Sequence, residues 1–153
     1  MKMDGGESKF INDHGHVQTI KMEGVEPGVV GIITNHSWLD NPTFKGMRKS
    51  LMETFNQIYV LDLHGNAKKK ERAPDGGEDQ NVFDIEQGVA ISLFIKNANL
   101  ETGVWHGDLW GKRLAKYQAA AVGTKLSINW TSLEPGTPDW LTTIFHGVQR
   151  AVN

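Results

Sequence analysis

The chain has 153 residues, enough to bury one core and too few for two ordinary domains. With 39% hydrophobic and 22% charged residues it has the composition of a globular protein; no run approaches the roughly 20 apolar residues of a membrane helix, and the N-terminal MKMDGGESKF lacks the apolar heart of a signal peptide, so no membrane partner is expected and the cytoplasm is the expected location. Cysteine is absent, which removes disulfides, thiolate metal sites and cysteine nucleophiles, and a net charge of -2 argues against nucleic-acid binding by bulk charge alone.

Residues 1–26 show no sustained period and read as a poorly defined N-terminal segment with short ordered pieces at Phe10-Ile11 and Val17 to Met22. Pro27-Gly28 then opens a first strand, Gly28 to Thr34, apolar at both parities as in a strand covered on both faces. Asn41-Pro42 supplies an N-cap and a first-turn proline for a helix. Phe44, Met47, Leu51 and Phe55 mark its apolar face, and Lys45, Arg48 and Lys49 its other side. Gln57 to Leu63 is a second strand, making a strand-helix-strand unit, and Gly88 to Lys96 is a third, expected to return antiparallel beside the second. The fold class is therefore α/β.

Between the second and third strands, His64 to Gln87 form a loop longer than a compact domain usually tolerates without a function. It holds a basic cluster, Lys68, Lys69, Lys70 and Arg72, followed by Asp75, Glu78, Asp79, Asp84 and Glu86, so a local basic patch exists on a nearly neutral chain. Beyond Asn99 the reading gives a short strand at Val104 to Leu109, a helix at Gly111 to Ala121, another strand at Leu126 to Trp130 and a helical stretch over Trp140 to Asn153.

Ligands of open α/β sheets bind at the carboxyl ends of strands. The first such end, Asn35-His36-Ser37-Trp38, either lines a pocket or is a turn whose Trp38 plugs the core. At the second, Asp62 and His64 are spaced to share one face of a strand, as an acid/base pair, as two metal ligands, or as hydrogen-bonded structure. Two ligands without a third do not make a site, and no metal is assigned. His106-Gly107-Asp108 reads as a turn in preference to a ligand pair. A Gly-rich phosphate loop, a serine nucleophile elbow and a His-Glu-x-x-His zinc motif are all missing from the sequence.

The run GVVGIITNHSWLDNPTFKGMRKSLMETFNQIYVLDLHGN, followed by KKKERAPDGGEDQNVFDIEQGVAISLFIK, closely resembles the catalytic core of adenine-N6 DNA methyltransferases inside large single-chain restriction-modification proteins, where the methyltransferase is fused to a nuclease and often a helicase-like translocase. The later WHGDLWGKRLAKYQ resembles the segment preceding the target-recognition domain of the same proteins. The resemblance implies the C-terminal portion of a Rossmann-like, S-adenosylmethionine-dependent methyltransferase sheet: strand, helix, strand and an antiparallel last strand. It implies three divisions: 1–26 poorly defined, 27–97 the C-terminal half of the catalytic domain, and 98–153 a connection toward a truncated target-recognition domain.

In that family the loop between the last two strands carries an aromatic residue that stacks on the flipped-out adenine, and Phe83 in Asn81-Val82-Phe83-Asp84 matches it. By the same resemblance Lys68, Lys69, Lys70 and Arg72 contact the DNA backbone, and Asn35, Ser37 and Trp38 border the pocket. The cofactor's Gly-rich motif and its acidic ribose contact have no match in the sequence. Neither does the Asn-Pro-Pro-Tyr motif, which Asn41-Pro42-Thr43-Phe44 imitates only superficially. No catalytic residue is therefore assigned, and S-adenosylmethionine is expected in the complete enzyme but not on this chain alone. The expected function is a fragment of a site-specific DNA methyltransferase acting on double-stranded DNA. The alternative is a non-catalytic DNA-binding or self-associating remnant, and a half sheet with open edges favours homo-oligomers under either reading.

Overall fold

The computed structural model describes residues 6–11, 17–22, 27–122 and 128–134. The first strands, β1 (Gly6–Ile11) and β2 (Val17–Met22), form an antiparallel pair of their own, with Gly6 opposite Met22 and Ile11 opposite Val17. The ordered pieces expected near Phe10 and Val17 are its two arms.

The main sheet contains β3 (Gly28–Asn35), β4 (Gln57–Asp62), β5 (Val89–Lys96), β6 (Gly103–Asp108) and β7 (Thr131–Leu133), in the order β3-β5-β4-β6-β7. Among the described residues, helices α1 (Lys45–Thr54) and α2 (Arg113–Val122) accompany it. Strand β5 runs antiparallel to both neighbours, so β3 and β4 point the same way without touching, and β6 continues parallel to β4. The strand-helix-strand unit is present, but its two strands are not adjacent: the long loop lets β5 enter the gap and hydrogen-bond on both sides.

Alternation along the strands divides the core between two faces. Ile58, Val60, Ala90, Phe94 and Val104 face Trp38 and the α1 residues Leu51 and Met52, while Leu61, Val89 and Ile91 face Leu63, Val82, Leu109, Ile128 and Trp130. Three local expectations are corrected. Helix α1 buries Arg48 and leaves Met47 exposed, because a 3-10 turn over Pro42–Phe44 shifts the phase at which the α-helix begins. The Arg48 guanidinium donates to the carbonyl oxygens of Trp38 and, at 3.0 Å, Asn41, and burial draws its pKa below the usual arginine value. Strand β3 is not covered on both faces. Among the described residues it is an edge strand, with Val29 66%, Val30 50%, Ile32 44% and Ile33 54% exposed, its two parities equally open.

The third correction concerns the C-terminal side. His106, Gly107 and Asp108 lie on β6, opposite Val60, Leu61 and Asp62, and are not a turn. The expected strand at Leu126 to Trp130 is displaced to Thr131–Leu133, which pairs with Val104–His106. The β6 strand and the helix after it fall within a residue or two of expectation. The helical stretch expected at Trp140 to Asn153 lies outside the described residues. No helix among the described residues is long and apolar enough to cross a membrane.

Candidate functional site

Because β3, β4 and β6 share a direction, their carboxyl ends meet at one edge of the sheet, beside the start of β5. Strand β3 breaks there into a 3-10 turn, His36–Leu39, capped by Asn35, whose side chain accepts from the Ser37 N–H at 2.8 Å. Trp38 donates its indole N–H to Thr34 Oγ1 at 3.1 Å and packs near the Phe94 ring. Asn35, Ser37 and Trp38 therefore build the turn, and the side chain it delivers inward is His36, 4% exposed. Its backbone N–H donates to the Gly88 carbonyl at 2.9 Å, and its ring lies where a Cβ on residue 88 would be.

His36 Nδ1 stands 2.9 Å from Asp62 Oδ1, joining the ends of β3 and β4. Asp62, at 1% exposure, also accepts from the His64 N–H at 2.8 Å. Asp62 and His64 do converge, but through a tight turn and not through strand alternation, since His64 adopts a left-handed backbone with φ of 51°. His64 is buried, stacks on Trp110, and bonds Asp108 Oδ1 through Nε2 at 2.7 Å. Asn66 Nδ2 lies 3.3 Å from His36 Nε2, and Glu71 Oε2 accepts from the Asn66 N–H at 2.9 Å.

The charges in this cluster sustain one another. Burial alone would push the Asp62 carboxyl up, but the His36 hydrogen bond and the nearby His64 hold it below the ordinary range. Glu71 is depressed in the same way, with burial opposed by His64 and the Asn66 N–H. For His64, burial is outweighed by Asp108, Glu71 and Asp62, and its pKa rises to about 9. His106, 3.6 Å from Asp108 Oδ2, responds mainly to burial and is lowered.

The long loop is fastened from both ends. Gly65, with φ of 78°, donates its N–H to Asp79 Oδ2 at 2.6 Å. Asn81 donates to the carbonyls of Gly65 at 3.1 Å and Gln87 at 2.6 Å. Helix α2 presents Arg113, Lys116 and Tyr117 on one face, at i, i+3 and i+4. Lys116 donates to Asp79 Oδ1 at 2.7 Å, Leu63 O at 2.6 Å and Gln80 O at 2.7 Å, with both side chains of the ion pair at 0% exposure. Arg113 donates to Asn81 O at 2.7 Å and Phe83 O at 3.1 Å, and the Tyr117 hydroxyl to Val82 O.

The result is a loop whose backbone is held on both sides of Phe83. Val82 is buried at 5% exposure, whereas Phe83 stands 44% exposed. Lys68, Lys69, Lys70 and Arg72 are exposed earlier in the loop. Lys68 lies 3.4 Å from Glu86, Lys69 lies 3.4 Å from Asp40, and Arg72 forms an isolated bridge with Glu78.

Three solved structures are similar to this chain. DrdV in a DNA complex, determined by cryo-electron microscopy, matches with a TM-score of 0.64 and 26% identity over 80% of this chain and 12% of that one. A nuclease-deletion mutant of the type ISP restriction-modification enzyme LlaGI, in complex with a DNA substrate mimic, matches with a TM-score of 0.62 and 25% identity over 76% of this chain and 12% of that one. The ATP-dependent type ISP enzyme LlaBIII, bound to DNA, gives 0.59 and 29% over 77% of this chain and 8% of that one. The chain is similar to a small region of type ISP restriction-modification enzymes. No protein-family model matches the sequence, and no curated protein does either.

The type ISP-like sheet thus brings His36, Asp62, His64 and Asp108 to one place, with the base of the Phe83 loop beside them. Sequence reasoning left His36, Glu71, Asp79 and Lys116 without a role. The usable signal was the position of His36, one residue past a strand end and beside an edge already marked by Asp62 and His64. The burial of Asp79 and Lys116 left no mark, since charged residues in loops and on helices usually face water.

Proposed function

We propose that this chain is the later part of the catalytic domain of an adenine-N6 DNA methyltransferase in a restriction-modification protein, and that it supplies the surface on which the flipped-out base stacks. The exposed Phe83 on a tethered loop carries this reading. A ring serving the core would be buried like Val82, and a ring on a free loop would lose to ordering much of what stacking returns. Held by Arg113 and Tyr117 through the neighbouring carbonyls, Phe83 offers a positioned aromatic face instead. The sequence resemblance, and the DNA-bound state of the three similar structures, support the same assignment.

In this reading Lys68, Lys69, Lys70 and Arg72 meet DNA phosphates, and Asn35, Ser37 and Trp38 shape the pocket rim from the end of β3. Within the complete enzyme S-adenosylmethionine supplies the methyl group. The residues present here do not fit that cofactor: Asp62, the acidic residue ending β4, is engaged by His36 and the His64 N–H and has no exposed oxygen for a ribose. Cofactor binding therefore belongs to other parts of the enzyme, and we place the complete protein in the cytoplasm.

Base stacking on an aromatic face is worth about 1–3 kcal/mol, so Phe83→Ala in the complete enzyme should lower methylation roughly 10- to 100-fold. Fluorescence of 2-aminopurine at the target position should report less stable flipping, with cofactor affinity nearly unchanged. Wild-type methylation by the variant would sink the stacking role. Micromolar binding of S-adenosylmethionine to the 153-residue chain, measured by calorimetry, would sink the division of the active site. The second reading, a non-catalytic self-associating module, draws on the open apolar edge of β3. A complete protein that binds DNA but transfers no methyl group would favour it.

A further inference from the structure

The cluster at the sheet edge contains an atom that the hydrogen-bond network leaves unserved. His64 is 6% exposed, and its Nδ1 is buried with no hydrogen-bond partner among the described residues. Two carboxylate oxygens face that nitrogen, Glu71 Oε1 at 3.7 Å and Asp62 Oδ2 at 3.8 Å, both too far to hydrogen-bond. Donors about 2.0–2.2 Å from one tetrahedral ion lie roughly 3.3–3.6 Å apart, so the 3.8 Å between His64 Nδ1 and Asp62 Oδ2 need close by only a few tenths of an ångström. A third element contributes as well: one ligand atom from each of His36, Asp62 and His64 lies within 4.8 Å of the others.

We propose that His64 Nδ1, Asp62 and a ring nitrogen of His36, with Glu71 facing His64 from the loop, bind one divalent transition-metal ion of the zinc class, which displaces the proton on His64 Nδ1. The donor set decides the class. Imidazole nitrogens with carboxylates suit zinc and its first-row neighbours, whereas magnesium and calcium favour oxygen-only shells. The surroundings are those of a histidine ligand. Asp108 holds Nε2 at 2.7 Å and fixes the ring with Nδ1 turned inward, and Trp110 stacks on its face. The left-handed backbone of His64 is rare for a residue with a side chain and aims the imidazole back over Asp62. With His36, Asp62 and His64 all buried, the ion is structural. It ties the turn after β3, the end of β4 and the first part of the loop into one unit, and it does so whether or not the loop serves methylation.

The test uses the full chain stripped with a chelator and titrated with zinc, cobalt(II) or magnesium. Calorimetry should give one tightly bound zinc per chain with a rise in melting temperature, cobalt should develop the visible ligand-field bands of a nitrogen/oxygen site, and magnesium should do neither. His64→Gln and Asp62→Asn should each abolish the cobalt bands. Asp108→Asn, which meets the His64 ring only at Nε2, should weaken zinc about 10- to 100-fold. If both variants are unfolded by circular dichroism, Asp108→Asn decides, because that side chain is 26% exposed and its replacement leaves the ligand atoms in place. Absence of zinc binding by the wild-type chain, equal binding of magnesium, or unchanged zinc affinity in Asp108→Asn would each overturn the site.

Discussion

Gly88 sets the depth of the histidine cluster. The His36 ring occupies the space above its Cα, and the His36 N–H bonds its carbonyl, so the approach of His36 to Asp62 depends on residue 88 having no side chain. Gly88→Ala should force the ring away and cost about 1–3 kcal/mol, the usual range for overpacking a filled site. Denaturant unfolding gives the cost, and the imidazole resonances of His36 should shift as the Asp62 contact is lost. An alanine variant as stable as the parent would mean that the ring has room to move. The sequence did not reveal this dependence. Gly88 read only as the start of a strand, and His36 contacts Asp62 across 26 positions of chain, a distance that no local pattern spans.

Helix α2 acts as a clamp on the loop, with three of its side chains reaching loop backbone or carboxylate acceptors. Lys116→Met should leave Asp79 buried without its cation and destabilise the chain by about 3–5 kcal/mol, whereas Arg113→Ala, at a partly exposed position, should cost far less. Limited proteolysis separates the two effects: Arg113→Ala should expose Gln80 to Asp84 to cleavage while the melting temperature holds. Equal stability loss in both variants would deny the clamp its division of labour. The elements themselves were legible, since turn residues and apolar runs marked β3, β4, β5 and β6 to within one or two residues. The facing of α1 was not, because periodicity assumes an α-helical phase from the first residue and the 3-10 turn at Pro42–Phe44 breaks that assumption.

For the whole molecule, the outstanding property is the uncovered edge at β3. Apolar residues at both parities stand open there, beside an edge with no partner among the described residues. Such an edge pairs with whatever strand it meets. The isolated chain should self-associate at micromolar concentrations, and Ile32→Lys with Ile33→Lys should return it to a monomer in sedimentation velocity. A wild-type chain that stays monomeric would show that the edge is protected. The sequence fitted the apolar character of this strand but placed it in the interior, because composition reports what a strand is suited to contact and not what lies beside it.

The position of β5 between β3 and β4 has a consequence for folding kinetics. Of these three strands the last in the chain is the middle one in space, so β3 and β4 have no partner in common until β5 arrives. Nothing in this part of the sheet can zip up from a local hairpin. Its formation waits on closure of the segment from Leu63 to Gly88, and non-local closure of this kind slows folding. Refolding should therefore slow when flexible residues are inserted at the exposed Gly76-Gly77 turn, with unfolding little changed, and the candidate stacking loop is in that sense also the hinge on which the sheet is assembled.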